Sequence, residues 1–145
     1  MNREILFRGK NIDDGHWVYG TPISLRNGET HMNFEFMGWI DRAIVITETV
    51  GQYTGLTDKN GTRIFERDII VAKHPGQKNA VPYLVGYGVY KDEDSFDDCR
   101  YLGFHLKALG KCCSILTPLS DRIKYEVIGN IYDNAELLED YKNNE

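Results

Sequence analysis

Residues 51–71 constrain the fold more than any other part of the chain. At their centre stands Asp58-Lys59-Asn60-Gly61, a strong turn signal. It fits a type I turn closed by a left-handed Gly61, the three-residue hairpin with a bulge. Asp58 is placed to accept a hydrogen bond from the turn backbone. Tyr53 and Leu56 precede the turn; Ile64, Phe65 and the run Ile69-Ile70-Val71 come after it. Short apolar runs on both sides of a tight turn read as strands, the second entering a core.

The flanking sequence has the same character. Residues 4–8 predict a first strand and Asp13-Asp14-Gly15 a turn. Trp17 and Tyr19 share one face of a second strand. Arg26-Asn27-Gly28 is another hairpin turn, since Asn and Gly accept positive φ. A third strand is expected over about 31–40, with Phe34, Phe36 and Met37 as its apolar members, and a buried strand over 43–47. Residues 74–82 read as a loop. Residues 81–90 are strand-like, with Gly86 and Gly88 suggesting a bulge or tight bend. An acidic loop occupies 92–98. In 101–109, Leu102, Phe104, Leu106 and Ala108 alternate onto one face. Further strands are expected over 114–119 and 125–132. Asp133-Asn-Ala-Glu136 resembles a capping box, opening a helix over 134–141 anchored by Leu137 and Leu138.

Many short strands with frequent turns predict an all-β barrel or sandwich, with α+β as the alternative. Nine Tyr and six Phe in 145 residues suit pleated, half-buried surfaces and support that reading. The chain reads as one domain, 1–145. A break near 48–51 allows an N-terminal β subdomain (1–48) ahead of a main barrel (49–133) and the C-terminal helix (134–141).

Val50-Gly-Gln-Tyr-Thr-Gly-Leu-Thr-Asp-Lys-Asn-Gly-Thr-Arg-Ile-Phe-Glu-Arg-Asp-Ile-Ile70 and Glu126-Val-Ile-Gly-Asn-Ile-Tyr-Asp-Asn134, with Ile5-Leu-Phe-Arg8 and Trp17-Val-Tyr-Gly20, resemble the YopX-like family of phage and prophage proteins. The resemblance implies a β-rich fold of SH3-like barrel type with an added N-terminal β-hairpin region. It implies no activity. Two departures stand out. The family tends to carry Glu-Gly-Asp where this chain has Glu66-Arg67-Asp68, so Arg67 marks either a less strained backbone or a solvent-facing side chain. The family often has Arg-Ala-Trp where this chain has Arg8-Gly-Lys.

The formal net charge of −5 disfavours general nucleic-acid binding, which relies on a cationic surplus. No apolar run approaches the roughly 18–20 residues that span a bilayer, so no membrane partner is expected. Three cysteines, an odd number with Cys112 and Cys113 adjacent, fit reduced thiols in a bacterial cytoplasm better than a disulfide framework. Asp58, Glu66 and Asp68 could hold Mg²⁺ or supply a general base, but a turn Asp has a structural reason of its own. The acidic loop fails the EF-hand pattern: Phe96 stands at a ligand position and Gly103 at the twelfth, where Glu is required. The four histidines are scattered, and no P-loop or nucleophile elbow exists. No metal or cofactor is expected.

Arg3, Arg8 and Arg63 with Tyr53 and Trp17 could contact phosphates and stack bases, unless the aromatics are core. The candidate binding residues are therefore Gln52, Tyr53, Thr54, Asp58, Glu66, Asp68, Arg8 and Trp17. The leading expectation is a non-enzymatic interaction or regulatory module that binds a phage or host protein, or forms a homo-oligomer. A nucleic-acid-binding regulator and a metal-dependent hydrolase or nuclease are the alternatives.

Overall fold

A computed structural model describes residues 3–73, 76–91, 98–110 and 116–143. The acidic loop (apart from Asp98), His74, Cys112 and Cys113 lie outside them, whereas Cys99 is described and exposed. The chain divides into two compact units, 1–55 and 56–145.

The first unit begins with β1 (Phe7–Lys10), β2 (Trp17–Ser24), β3 (Thr30–Phe36), β4 (Trp39–Val45) and β5 (Gly51–Thr57), the last running into the second unit. Its strands lie side by side in the order β4-β3-β2-β1-β5. Strand β2 is shared between two partners. Trp17 to Gly20 pair with β1, and Thr21 to Ser24 pair with β3. The handover falls at Gly20, where a side-chain carbon would sit 1.9 Å from the Asn33 carbonyl oxygen. Only a residue without one fits. Strand β4 bends back at its end, so that Asn11 bridges Val45 and the Ile46 N–H donates to the Lys10 carbonyl. Met32, Val45 and Tyr53 are the buried apolar residues of this unit.

Residues 31–40 do not form the single strand that the sequence suggests. Met37 and Gly38 make a two-residue turn between β3 and β4, both with positive φ (50° and 80°), the I′ pattern of a tight hairpin. Apolar residues on both sides hide this turn, because Met is not a residue that favours positive φ.

The second unit holds the end of β5, then β6 (Arg63–Phe65), β7 (Asp68–Ala72), β8 (Val81–Lys91), β9 (Arg100–Ala108), β10 (Leu116–Pro118), β11 (Tyr125–Asn130) and α1 (Ala135–Asn143). Five strands form an antiparallel sheet in the order β10-β9-β8-β7-β11. Among the described residues no pairing joins its two ends, so it is an open ladder with edge strands at β10 and β11 rather than a closed barrel. The all-β class holds.

The core of this unit gathers Ile64, Ile70, Ala72, Tyr83, Val85, Leu106 and Tyr125. Strand β7, between β8 and β11, is buried on both faces, with Ile69 and Ile70 each at 0% exposure. Pairing of β8 with β9 runs unbroken from Tyr83–Ala108 to Lys91–Arg100, so Gly86 and Gly88 mark no bulge. Gly86 instead leaves room for the His105 ring, which a side-chain carbon there would meet at 2.7 Å. The alternation in β9 buries Leu106 but leaves Leu102 68% exposed, since that end of the hairpin runs beyond the core.

The helix starts one residue later than the capping box implies. Asn134, not Asp133, precedes Ala135. Asn134 Oδ1 accepts the Asn130 N–H and Asp133 Oδ2 accepts the Asn130 side-chain amide, so both side chains serve the turn before the helix.

Candidate functional site

The turn at 58–61 forms as its residues dictate. The Gly61 N–H donates to the Asp58 carbonyl, the Asp58 N–H to the Thr62 carbonyl, and Gly61 has φ 82°. Asp58 is 7% exposed and uses both carboxylate oxygens. Oδ1 accepts from the N–H groups of Asn60 (2.8 Å) and Thr62 (2.9 Å). Oδ2 accepts from the Val127 N–H at 3.0 Å, 69 residues away. Burial alone pushes this carboxyl up; the three N–H donors of Val127, Thr62 and Asn60, together with Lys59, outweigh it and hold the pKa below the usual value. Next to it the Lys59 N–H donates to the Tyr125 carbonyl, and the Lys59 ammonium pairs with Glu126 at 2.7 Å. Asp58 is thus a clamp between the hairpin and β11. Sequence reasoning supplies the turn half of this role and misses the Val127 half, which no local spacing reveals.

A second turn, Glu66-Arg67, succeeds β6. Asp68 is 1% exposed, and its Oδ2 accepts the Phe65 N–H at 2.8 Å. Arg67 has φ 67° and an exposed side chain. Of the two alternatives for Arg67 the second holds: the left-handed geometry that suits glycine persists, and the arginine side chain is exposed to solvent. The backbone is held from both directions, since the Arg67 N–H donates to the Val85 carbonyl and its carbonyl accepts from Ile131. Glu66 is half-buried. Among the described residues no three His, Cys, Asp or Glu side chains gather closely enough to hold a metal ion. The three carboxylates around the hairpin do not converge.

In the first unit, Arg8 is buried and its guanidinium carbon lies 4.3 Å from the Trp17 ring centre. The Lys10 ammonium lies 5.2 Å from the same ring. Lys10 stands opposite Trp17 in the β1–β2 register, and Arg8 lies two residues along on the same face. The indole is already held by cation–π contacts, worth about 0.5–2 kcal/mol each. Tyr53 and Thr54 are buried, Gln52 is half-buried opposite Phe7, and the Tyr53 N–H donates to the Leu6 carbonyl. Arg8 and Tyr53 are thus framework side chains rather than an open surface for bases.

The exposed chemistry lies elsewhere. Residues 35–42, at the end of the β3–β4 hairpin, are exposed on both faces. They form an arm whose apolar side chains are Phe36 (57% exposed), Met37 (84%), Trp39 (78%) and Ile40 (77%). The sequence offers one signal for it, a Met-Gly pair flanked by aromatics, which periodicity alone reads as continuous strand.

Comparison with known proteins bears on these features. A family model described as YopX protein matches residues 6–139. The chain belongs to the YopX protein family. The match spans both units, the clamp turn and the arm alike. The crystal structure of protein EF1440 from Enterococcus faecalis is similar to this YopX-family chain, with a TM-score of 0.51 and 22% identity. The match covers 94% of this chain and 99% of that one, and at such identity it speaks for the fold alone. A search of curated proteins gave no match. No helix of the described residues is long and apolar enough to cross a membrane.

Proposed function

We propose that this YopX-family chain is a non-enzymatic protein-interaction module, encoded by a phage or prophage and working in a bacterial cytoplasm. The observation that carries the reading is the arm: four large apolar side chains stand on a hairpin that is exposed on both faces. Burying one such side chain in a partner is worth about 1.5–3 kcal/mol, so the arm alone offers several kcal/mol of association free energy. The tip also holds Met37 at φ 50°, where Asn or Gly would sit without strain. An apolar residue kept at a strained, exposed tip suits contact with a partner better than solvation. The occupant is a protein with an apolar groove. The phage setting rests on the family resemblance.

The test compares the wild-type chain with Trp39→Asp and Phe36→Ser as bait in host lysate, with light scattering of each purified protein. The expected result is a stoichiometric partner that the wild type retains and both variants lose, at unchanged thermal stability. A variant-sensitive dimer in light scattering would identify a second copy as the occupant. Monomeric wild type with no variant-sensitive partner would overturn the reading.

A further inference from the structure

In the second unit, a cleft of about 310 Å³ lies where the 58–61 turn meets the end of β7 and the start of β11. Its lining includes Lys59, Lys73, Lys124, Tyr125 and Glu126. Three lysines and one glutamate therefore line a single cleft, on a chain whose net charge is −5. Lys59 is fixed on the wall by its pair with Glu126 and by its backbone bond to the Tyr125 carbonyl. The β7–β11 register pairs Val71 with Glu126 and Ala72 with Tyr125. Continued one residue past the paired strands, that register sets Lys73 across from Lys124 at the mouth of the ladder, and both line the cleft.

Like charges set across from one another on an antiparallel pair repel, which lowers stability. Neither Lys73 nor Lys124 forms an ion pair with any described residue. A shared anion converts that repulsion into attraction. Carboxylate ligands carry one charge; a phosphate group offers more charge and oxygens in several directions, which suits separated lysine point charges.

We propose that this cleft binds a phosphate-class oxyanion, with Lys73 and Lys124 as its principal contacts and Lys59 as the fixed third cation. The site lies wholly in the second unit and is independent of the arm.

The test is an amide NMR titration of the full chain with sodium pyrophosphate at constant ionic strength, with a ten-nucleotide oligothymidylate in a parallel arm. Saturable shifts centred on Lys59, Lys73, Lys124 and Glu126 are expected. The double variant Lys73→Gln/Lys124→Gln should weaken binding at least about tenfold, since it removes both principal charge-assisted contacts. Both side chains are exposed, so its fold should be unchanged. Saturation by pyrophosphate alone supports a small phosphorylated ligand, and saturation by the oligonucleotide alone supports a nucleic-acid backbone as the source of the phosphate. No saturable shift with either probe, shifts spread evenly over all lysines, or a double variant that binds like the wild type would overturn the proposal.

Discussion

Replacing Asp58 by Asn removes a charge while keeping the shape, and three backbone donors are left to compete for one oxygen. The carboxylate accepts three backbone N–H groups, two through Oδ1 and one through Oδ2. An amide has one accepting oxygen. If that oxygen stays with Asn60 and Thr62, the new NH₂ faces the Val127 N–H, donor against donor. If it flips, the turn loses both local bonds. Charged hydrogen bonds are worth about 1.5–3 kcal/mol, and a partly buried donor left unmet costs about 1–3 kcal/mol. Asp58→Asn should therefore lose about 2–4 kcal/mol at pH 7. The acidity of the group adds a second signature. Its folded pKa lies below the unfolded one, so its stabilising share is fully present above about pH 4 and is lost as pH falls through the folded value. The gap between wild type and Asp58→Asn should thus narrow below pH 4. Urea unfolding monitored by far-UV circular dichroism at pH 7 and below pH 4 checks both. Tryptophan emission does not suffice, because Trp17 and Trp39 both lie in the first unit. Amide exchange at Val127 should accelerate in the variant. A loss under about 0.5 kcal/mol, or a gap unchanged by acid, would refute the clamp and leave the carboxylate open to another role.

Two further substitutions test the backbone. Arg67→Gly removes a side chain from φ 67°, relieving about 1–2 kcal/mol of left-handed strain against about 0.5–1 kcal/mol of added chain entropy, so a rise of up to about 1 kcal/mol is expected in urea unfolding. Gly20→Ala puts a methyl 1.9 Å from a backbone oxygen that cannot move without breaking the β2–β3 ladder. Its cost should exceed about 3 kcal/mol, read as a fall in thermal midpoint of the first unit by Trp fluorescence.

Much of the fold is legible in local chemistry. Turns at 13–15, 26–28 and 58–61 form where Asp, Asn and Gly place them, because those residues are recognised by conformations that span three or four residues. The β-branched and aromatic segments become strands for an equally local reason. The β3–β4 turn escapes notice because Met37 goes against that rule, and the site candidates carry a different ambiguity. Gln52, Tyr53, Thr54, Asp58, Glu66, Asp68, Arg8 and Trp17 stand out as polar or aromatic groups in the family signature, yet each is buried or half-buried. Polar residues that close turns and clamp strands look in sequence like residues that bind ligands, since both tasks need hydrogen-bonding groups at fixed positions.

The stretch 51–71 by itself determined a hairpin, its turn type, a left-handed Gly61 and an entry into the core. Those properties depend on neighbours within a few residues, whose energies are read from identity and spacing. Tertiary structure alone decided that Asp58 is spent on Val127, that Lys73 and Lys124 line one cleft, and that Phe36, Met37, Trp39 and Ile40 remain outside. Those outcomes depend on which strands pair and where the core ends, and burial is a property of the packed chain rather than of any segment.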